Sequence, residues 1–479
     1  MFSSISFAIN SFLWGPPMLA VFLGTGIFLS AKTGFYQLFG AGDWIGSTVI
    51  RATKNRKNKN TSEGSVSQFG ALTSALAACL GTGNIVGVAT AICSGGAGSV
   101  FWMCLSAIFG MMTCCCENIL GVKYRIKDSH GKWMGGPMYY IEKGLGMKGL
   151  AAAYAVFLTG ASLGMGNMTQ ANSVAQGLKG FGVPPVVTGI VLAVMIILCI
   201  SGGLKRICAI SEKLIPLLSA AFLLACFAVI IKNADNLIPC AKLIVKEAFT
   251  VKSLSGYGMA EAARYGISRG VFSNEAGLGS SAVIHAAAEC ETPAEQGKWG
   301  IVEVFIDTVL MCTVTATAIL TSGVWSPHTT LNGVELCAAV FESVLGKFGG
   351  RFLDICIALF AFATLIAWSY YGRNGAEYLF GSKAGKIYNV FYSVAAFVGC
   401  ICRLEFVWSI SDIFNGLMAV PNIFALLLLS RQATDELRGN RCKFDKRYCE
   451  KPVLRGIMNH KSAKENEYDN QRYKVYRRE

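Results

Sequence analysis

Leu80-Gly-Thr-Gly-Asn-Ile-Val-Gly87 interrupts an apolar segment, Phe69 to Cys93, that is otherwise long enough to cross a bilayer. Three glycines and an asparagine in eight residues make a poor continuous helix. Gly costs about 1 kcal/mol relative to Ala in a helix interior, and Asn and Thr offer the backbone competing hydrogen bonds. In lipid, the freed N–H and C=O groups must find other partners, so such breaks persist where they are buried in protein or line a polar cavity. A second break, Phe272-Ser-Asn-Glu-Ala-Gly-Leu-Gly-Ser-Ser281, falls in the later half of the chain. Two interrupted apolar segments in corresponding halves point to the inverted-repeat architecture of secondary transporters.

Composition agrees with a membrane setting. Of 479 residues, 53% are hydrophobic and only 15% charged, with a mean hydropathy of +0.47; a soluble chain would carry about 25% charged residues. The net charge of +14 is concentrated in short loops and in the tail from Arg431 to Glu479. That placement implies topology and contact with anionic lipid rather than nucleic-acid binding. Most of the 18 cysteines lie in apolar spans, as Cys114-Cys115-Cys116 do, where a thiol behaves as a small hydrophobe. With four histidines and no C-x-x-C pair, a zinc site is not expected. The N-terminus lacks a basic region followed by a short apolar one, so no cleavable signal peptide is read.

Taken in order, a first span covers 12–33 and is followed by the basic residues Arg51, Lys54, Arg56, Lys57 and Lys59. The positive-inside rule puts that loop in the cytoplasm and the N-terminus outside. Further spans are expected at 68–93 (broken), 97–122, 150–177, 184–202, 213–232, 257–289 (broken), 299–322, 351–372, 388–403 and 406–430. Residues 135–146 read as a turn and an interfacial helix, and residues 233–252 as a loop; the four lysines at 232, 242, 246 and 252 sit awkwardly on the outer face. The expectation is an all-α polytopic membrane protein of eleven transmembrane helices, with the C-terminal tail in the cytoplasm. Its organisation is an N-terminal helix and basic linker (1–67), a first five-helix repeat (68–232), a connecting loop (233–256), a second five-helix repeat (257–430) and a basic tail (431–479). An odd number of spans per repeat makes the repeats inverted.

Several motifs in one order carry a resemblance. Gly95-Gly-Ala-Gly-Ser-Val-Phe-Trp-Met-Cys-Leu-Ser-Ala-Ile-Phe-Gly-Met111 closely resembles the signature of the alanine/glycine:cation symporter family. Gly81-Thr-Gly-Asn84, Gly135-Gly-Pro-Met-Tyr-Tyr140, Gly203-Leu-Lys-Arg-Ile207 and Ser273-Asn-Glu-Ala-Gly277 do so as well. The likeness runs from about residue 12 to 430. Ser99, Cys104 and Arg373 depart from the pattern, which has Gly or Ala, Trp and Glu there; Arg373 reverses a charge at a cytoplasmic helix end. The resemblance implies the leucine-transporter (LeuT-like) fold, one extra helix before a five-plus-five inverted repeat, and sodium-driven uptake of alanine or glycine.

A small zwitterion needs donors for its carboxylate and acceptors for its ammonium, and broken helices expose both. Leucine transport is the standard example of this arrangement. The carboxylate is assigned to N–H groups around Thr82, Gly83 and Asn84, and the ammonium to acceptors around Phe272, Ser273 and Asn274. The alternative for both breaks is close helix packing through small residues. Gln170 is either a substrate contact, as the resemblance implies, or an interhelical bond. Thr364 and Trp368 share a helix face. By resemblance they line the pocket, Trp368 and Phe272 capping the space beyond the substrate's methyl group; otherwise Trp368 is packing or an interface anchor. Sodium is the expected coupling ion, with oxygens near Cys79, Leu80 and Thr82 and hydroxyls of Thr364 or Ser369 as ligands; no organic cofactor is expected. Glu275, inside the second break, is a gate, a proton acceptor or a cap on the following half-helix. Glu117, Glu303 and Asp307 are further intramembrane acids, and such charges are functional candidates.

The sequence therefore favours a symporter in the plasma (inner) membrane, with alanine or glycine, sodium and lipid as partners and no nucleic acid. The rivals are a transceptor or channel that senses amino acids, a proton-coupled transporter on the same fold, and, least supported, a membrane enzyme.

Overall fold

The computed structural model describes residues 9–54, 64–128, 131–251, 258–402 and 404–444. Arg56, Lys57, Lys59 and tail residues 445–479, assigned above to a basic loop and a basic lipid-facing end, lie outside them.

Among the described residues, eight helices are long and apolar enough to cross a membrane: Ile9–Lys32, Ser99–Lys123, Lys148–Lys179, Gly203–Lys232, Pro293–Thr321, Lys347–Phe380, Ser382–Ile401 and Ser411–Asn440. A ninth is the broken pair Gln68–Cys79 and Gly83–Gly95, bent by 54° at the expected glycines. Pro185–Ser201 is apolar but shorter. The second break lies between Met259–Asn274 and Ser281–His285. This is a multi-pass membrane protein, and its lipid face follows from chemistry. Val187, Val191, Val194 and Leu198 of Pro185–Ser201, and Val390, Phe391 and Val394 of Ser382–Ile401, are apolar side chains left exposed by the described residues. Such a surface is stable only in hydrocarbon.

The core is organised around α1 (Ser99–Lys123), whose residues Met111 to Val122 are all buried. Against it pack Pro16–Lys32, Met259–Asn274, Ser281–His285 and Pro293–Val304. The departures from the family signature are accommodated here. The Ser99 hydroxyl donates to Gly96 O at 2.7 Å and Cys104 Sγ lies 3.1 Å from Thr313 Oγ1. Arg373 pairs within its own helix with Glu377, one turn on, at 2.8 Å.

Four segments differ from expectation. The span expected from 213 begins ten residues earlier, at Gly203, because Lys205 and Arg206 occupy the exposed first turn of the helix rather than a loop. Residues 233–252 hold the helix Leu237–Phe249, which turns Lys242 and Lys246 outward and Glu247 and Ala248 inward. There Glu247 Oε2 accepts from Ala97 N at 2.9 Å and Ala248 O from Trp102 Nε1 at 3.0 Å. Gly333–Leu345, capped by Asn332, forms a second unexpected helix over the half-helix Gly83–Gly95; Cys337 Sγ reaches Ile85 O at 3.5 Å. The basic linker is helical in short pieces from Tyr36 to Lys54. It is fastened by Asp43, 3.0 Å from the fully buried Lys298, and by Arg51, 3.1 Å from Glu295.

Candidate substrate and ion site

The two breaks face each other. A Cβ placed on Gly83 would lie 3.5 Å from Cα and Oγ of Ser273. Thr82, Gly83 and Asn84 carry the first N–H groups of the half-helix Gly83–Gly95, which a helix leaves without intrahelical partners. On the other side, Met259–Asn274 ends with Glu275 N donating to Val271 O at 2.9 Å. The carbonyls of Phe272, Ser273 and Asn274 therefore belong to the last turn of that helix, its negative end. A positive helix end and a negative one thus meet across one small space.

Asp307 holds them together. It lies in the wide-turn segment Phe305–Cys312, fully buried. Asn84 Nδ2 donates to its Oδ1 at 2.7 Å and to its backbone O at 2.9 Å. Its Oδ2 accepts from Ser273 Oγ at 2.9 Å and from Thr308 Oγ1 at 2.7 Å, and Thr308 Oγ1 in turn accepts from Asn274 Nδ2 at 3.1 Å. One carboxylate therefore fastens the first break to the second. The sequence singles out Asp307 only as an intramembrane acid; its partners in the two breaks, Ser273 and Asn84, are 34 and 223 residues away and no spacing reveals them.

Gln170, Thr364 and Gly81 form the facing wall. Thr364 Oγ1 is bonded to Ala77 O at 2.9 Å and to Phe360 O at 3.1 Å. Gln170 Nε2 donates to Met165 O at 3.2 Å, while among the described residues its Oε1 is buried without a hydrogen-bond partner, as is Oδ1 of Asn84. A Cβ on Gly81 would sit 2.8 Å from Thr364 Oγ1 and 3.4 Å from Gln170 Oε1. Because Thr364 is fixed by its bond to Ala77, Gly81→Ala is expected to displace this wall. Labelled-alanine uptake should fall at least about tenfold, while Gly24→Ala, where a Cβ meets nothing within 4 Å, should transport as the parent does.

Of the expected cation ligands, Cys79, Leu80, Thr82 and Thr364 are brought together at the first break. Cys79 O already accepts from Gly81 N at 2.8 Å, and Thr82 O from Val86 N at 2.8 Å. The Ser369 hydroxyl instead donates to Ile366 O of its own helix at 2.6 Å. Trp368 is fully buried and donates from Nε1 to Glu275 Oε1 at 3.2 Å. The Phe272 ring lies edge-on to Trp14 of the N-terminal span, centroids 6.3 Å apart. Glu275 has both carboxylate oxygens engaged, the second by the Ser280 hydroxyl. A second buried acid, Glu117, accepts from Gly277 N at 3.0 Å and from Asn422 Nδ2 at 2.5 Å. It braces the second break, where Gly277 has φ +98 and a Cβ would strike Phe22 at 2.7 Å.

Residues 1–452 match the model of the sodium:alanine symporter family. The chain belongs to that family. Its relatives include the sodium/alanine symporter AgcS of Methanococcus maripaludis, 40% identical over 92% of this chain and 99% of the relative. The probable sodium/glutamine symporter GlnT of Bacillus subtilis is 35% identical over 88% and 87%. Among solved structures, MhsT in complex with L-phenylalanine superposes with a TM-score of 0.54 at 14% identity, covering 78% of this chain and 93% of that one. A manganese transporter mutant of Eremococcus coleocola gives 0.54 at 13%, covering 79% and 81%. At these identities the structural likeness is one of fold: the sodium:alanine symporters share the helical architecture of the LeuT-fold transporters. The relatives are transporters, not enzymes.

Proposed function

We propose that this chain is a sodium-coupled symporter that imports a small neutral amino acid, alanine or glycine, by alternating access. The observation that carries the reading is the meeting of the two breaks, with N–H groups of Thr82 to Asn84 opposite carbonyls of Phe272 to Asn274. The carboxylate of the substrate would lie at the first and its ammonium at the second. Gln170 Oε1 supplies a further acceptor, and Thr364 and Trp368 close the space beyond the side chain. Sodium is cargo here. The oxygens at Cys79, Leu80, Thr82, Thr364 and Ser369 are one proposed set of ligands; Asp307 with the unpartnered Asn84 Oδ1 is another, lying between the breaks.

The architecture proposed with it has eleven membrane helices, reached by adding Pro185–Ser201 and the second broken pair to the spans above. Residues 68–232 and 257–430 then form inverted repeats after an N-terminal helix, joined by the 233–256 connector. The N-terminus lies outside the inner membrane and the tail in the cytoplasm. Closure of the cytoplasmic side is supported by the strap at Val66, whose N donates to Ala287 O at 3.1 Å and whose O accepts from Glu289 N at 2.9 Å.

Uptake of labelled alanine into proteoliposomes, with and without an inward sodium gradient, tests the reading. Sodium-dependent accumulation is expected, and it should fall at least about tenfold in Gln170→Ala and Thr82→Ala, each of which removes a polar group from a buried site. Accumulation driven equally by a proton gradient would replace the ion but keep the fold. Specific binding without accumulation under either gradient would overturn symport in favour of a sensor.

A further inference from the structure

The N-terminal span packs directly on the second break. Trp14 and Phe22 of Ile9–Lys32 stack on each other, with ring centroids 6.3 Å apart and planes 9° from parallel. Trp14 also stands edge-on to Phe272, centroids 6.3 Å apart. Phe22 is buried against Gly277, where a Cβ would fall 2.7 Å from its ring. Phe272 and Gly277 are the two shoulders of the break, the first in the last turn of Met259–Asn274 and the second in the turn that follows, at φ +98. One aromatic stack therefore rests on both ends of the same interruption.

The span is itself fixed along its length. Trp14 Nε1 donates to Asp412 O at 3.1 Å, and a Cβ on Gly416 would lie 2.9 Å from Leu13. At the other end Lys32 Nζ donates to Ser430 Oγ at 2.9 Å, and Lys32 O accepts from Arg438. Between them Gly26 lets the helix close on α1, since a Cβ there would lie 3.0 Å from the Phe109 carbonyl. Close packing and polar ties of this kind are what set helix positions in lipid, where apolar contact alone gives no hydrophobic driving force. Beyond the stack, successive amides of the break are bonded: Glu275 N to Val271 O at 2.9 Å, and Ala276 N to Asn274 Oδ1, Gly277 N to Glu117 Oε1 and Leu278 N to Glu275 O, each at 3.0 Å. Those bonds hold only while the backbone from 272 to 277 keeps its course.

We infer that Trp14 and Phe22 are positioning residues of the second break: the N-terminal span, which lies outside both proposed repeats, sets the course of residues 272–277 and with it the carbonyls offered to the substrate ammonium. The effect on transport rests on the proposed amino-acid site; the packing of the break does not depend on what is carried. Truncating either ring leaves room at one shoulder. The backbone relaxes into it, and the amide bonds of 275–278 open more often.

The experiment compares the full-length parent with Trp14→Ala, Phe22→Ala, Phe22→Leu and Val21→Ala, the last at an exposed position of the same helix. Hydrogen–deuterium exchange is read in detergent, and labelled-alanine uptake at saturating sodium in proteoliposomes. In Trp14→Ala and Phe22→Ala the amides of 275–278 should exchange at least about tenfold faster, while those of Ser382–Ile401, a span that packs on Pro185–Ser201, keep parental rates. The alanine concentration for half-maximal uptake should rise about tenfold, the scale of a slightly misplaced contact, with the maximal rate per folded molecule within about twofold of the parent. A span that only helped the protein fold would lower the maximal rate and leave half-saturation unmoved. Phe22→Leu, which keeps an apolar branch against Gly277, and Val21→Ala should match the parent in both readings. Unchanged exchange at 275–278 in both alanine variants, equal acceleration across Ser382–Ile401, or an unmoved half-saturation would overturn the inference. Should Phe22→Ala fail to fold, Trp14→Ala decides by the same readings. A parent that alanine protects thermally but that does not accumulate it overturns symport alone, and half-saturation is then read from thermal protection. A parent that neither binds nor accumulates alanine overturns the substrate reading, and exchange then decides.

Discussion

Asp307→Ala is expected to abolish sodium-driven alanine uptake, by about a hundredfold or more, because it unfastens the two breaks from each other. Asn84 Nδ2, Ser273 Oγ and Thr308 Oγ1 all donate to this carboxylate in a fully buried setting. A buried donor left without its acceptor costs about 1–3 kcal/mol. Asn84 retains the backbone carbonyl of residue 307, so the hydroxyls bear most of the loss. The consequence is geometric as well as energetic. Asn84 begins the half-helix whose N–H groups are proposed to take the substrate carboxylate, and Ser273 and Asn274 end the helix whose carbonyls are proposed to take its ammonium. Slippage of about 1 Å between them is enough to cost on the order of a hundredfold in a positioned site. Asp307→Asn separates the contributions: it keeps one acceptor for the hydroxyls and removes the charge. Uptake in Asp307→Asn should be partly retained at high sodium, with the sodium concentration for half-maximal uptake raised. Tracer uptake against sodium concentration, with detergent thermal stability as the check on folding, measures both. Asp307→Ala uptake within twofold of the parent would sink the argument.

The course of these two half-helices was legible in the sequence for a plain reason. Gly81, Gly83 and Gly87 with Asn84, and Gly277 and Gly279 with Asn274, are helix-poor residues set in apolar surroundings, and the breaks fall where they stand. The long spans were legible by length and hydropathy. What escaped were elements whose pattern is amphipathic. Leu237–Phe249 carries lysines toward the aqueous side and few apolar residues in a row, so it resembles a loop in composition. The start at Gly203 was hidden for the same reason, two basic residues in an exposed first turn. At the site, Gln170 and Thr364 were singled out through the family resemblance, and the geometry now sets both beside Gly81. Asp307 and Glu303 were visible only as buried acids. Their partners come from helices remote in sequence, and side-chain geometry of that kind has no periodic signature. In the basic connector Lys242 and Lys246 point away from the protein.

Glu303 is the site of the second large expected effect, on stability rather than on transport chemistry. It is fully buried in Pro293–Val304 and accepts from Ser281 Oγ at 2.7 Å. Its Oε2 lies 3.0 Å from His285 Nε2, and Gln296 Nε2 lies 2.5 Å from the other ring nitrogen. Cys79 Sγ and Cys114 Sγ approach the carboxylate at 3.6 and 3.7 Å. The group therefore gathers the last residue of Gln68–Cys79, the middle of α1 and both ends of Ser281–His285, elements that flank the two breaks. Each buried group left without its hydrogen-bond partner costs about 1–3 kcal/mol. Glu303→Leu keeps the volume and removes every acceptor, leaving His285 and Ser281 unsatisfied, so the melting temperature in detergent should fall markedly. Glu303→Gln keeps one acceptor and should fall less. The pair His285→Leu with Glu303→Leu, which removes both members, should recover part of the loss, since replacing a buried polar pair by apolar groups of similar volume is often neutral. Thermal unfolding of the three variants decides it. A melting temperature in Glu303→Leu equal to the parent's would show that the cluster holds nothing together; recovery in the double variant would show that the cost lay in the orphaned partner rather than in the lost volume.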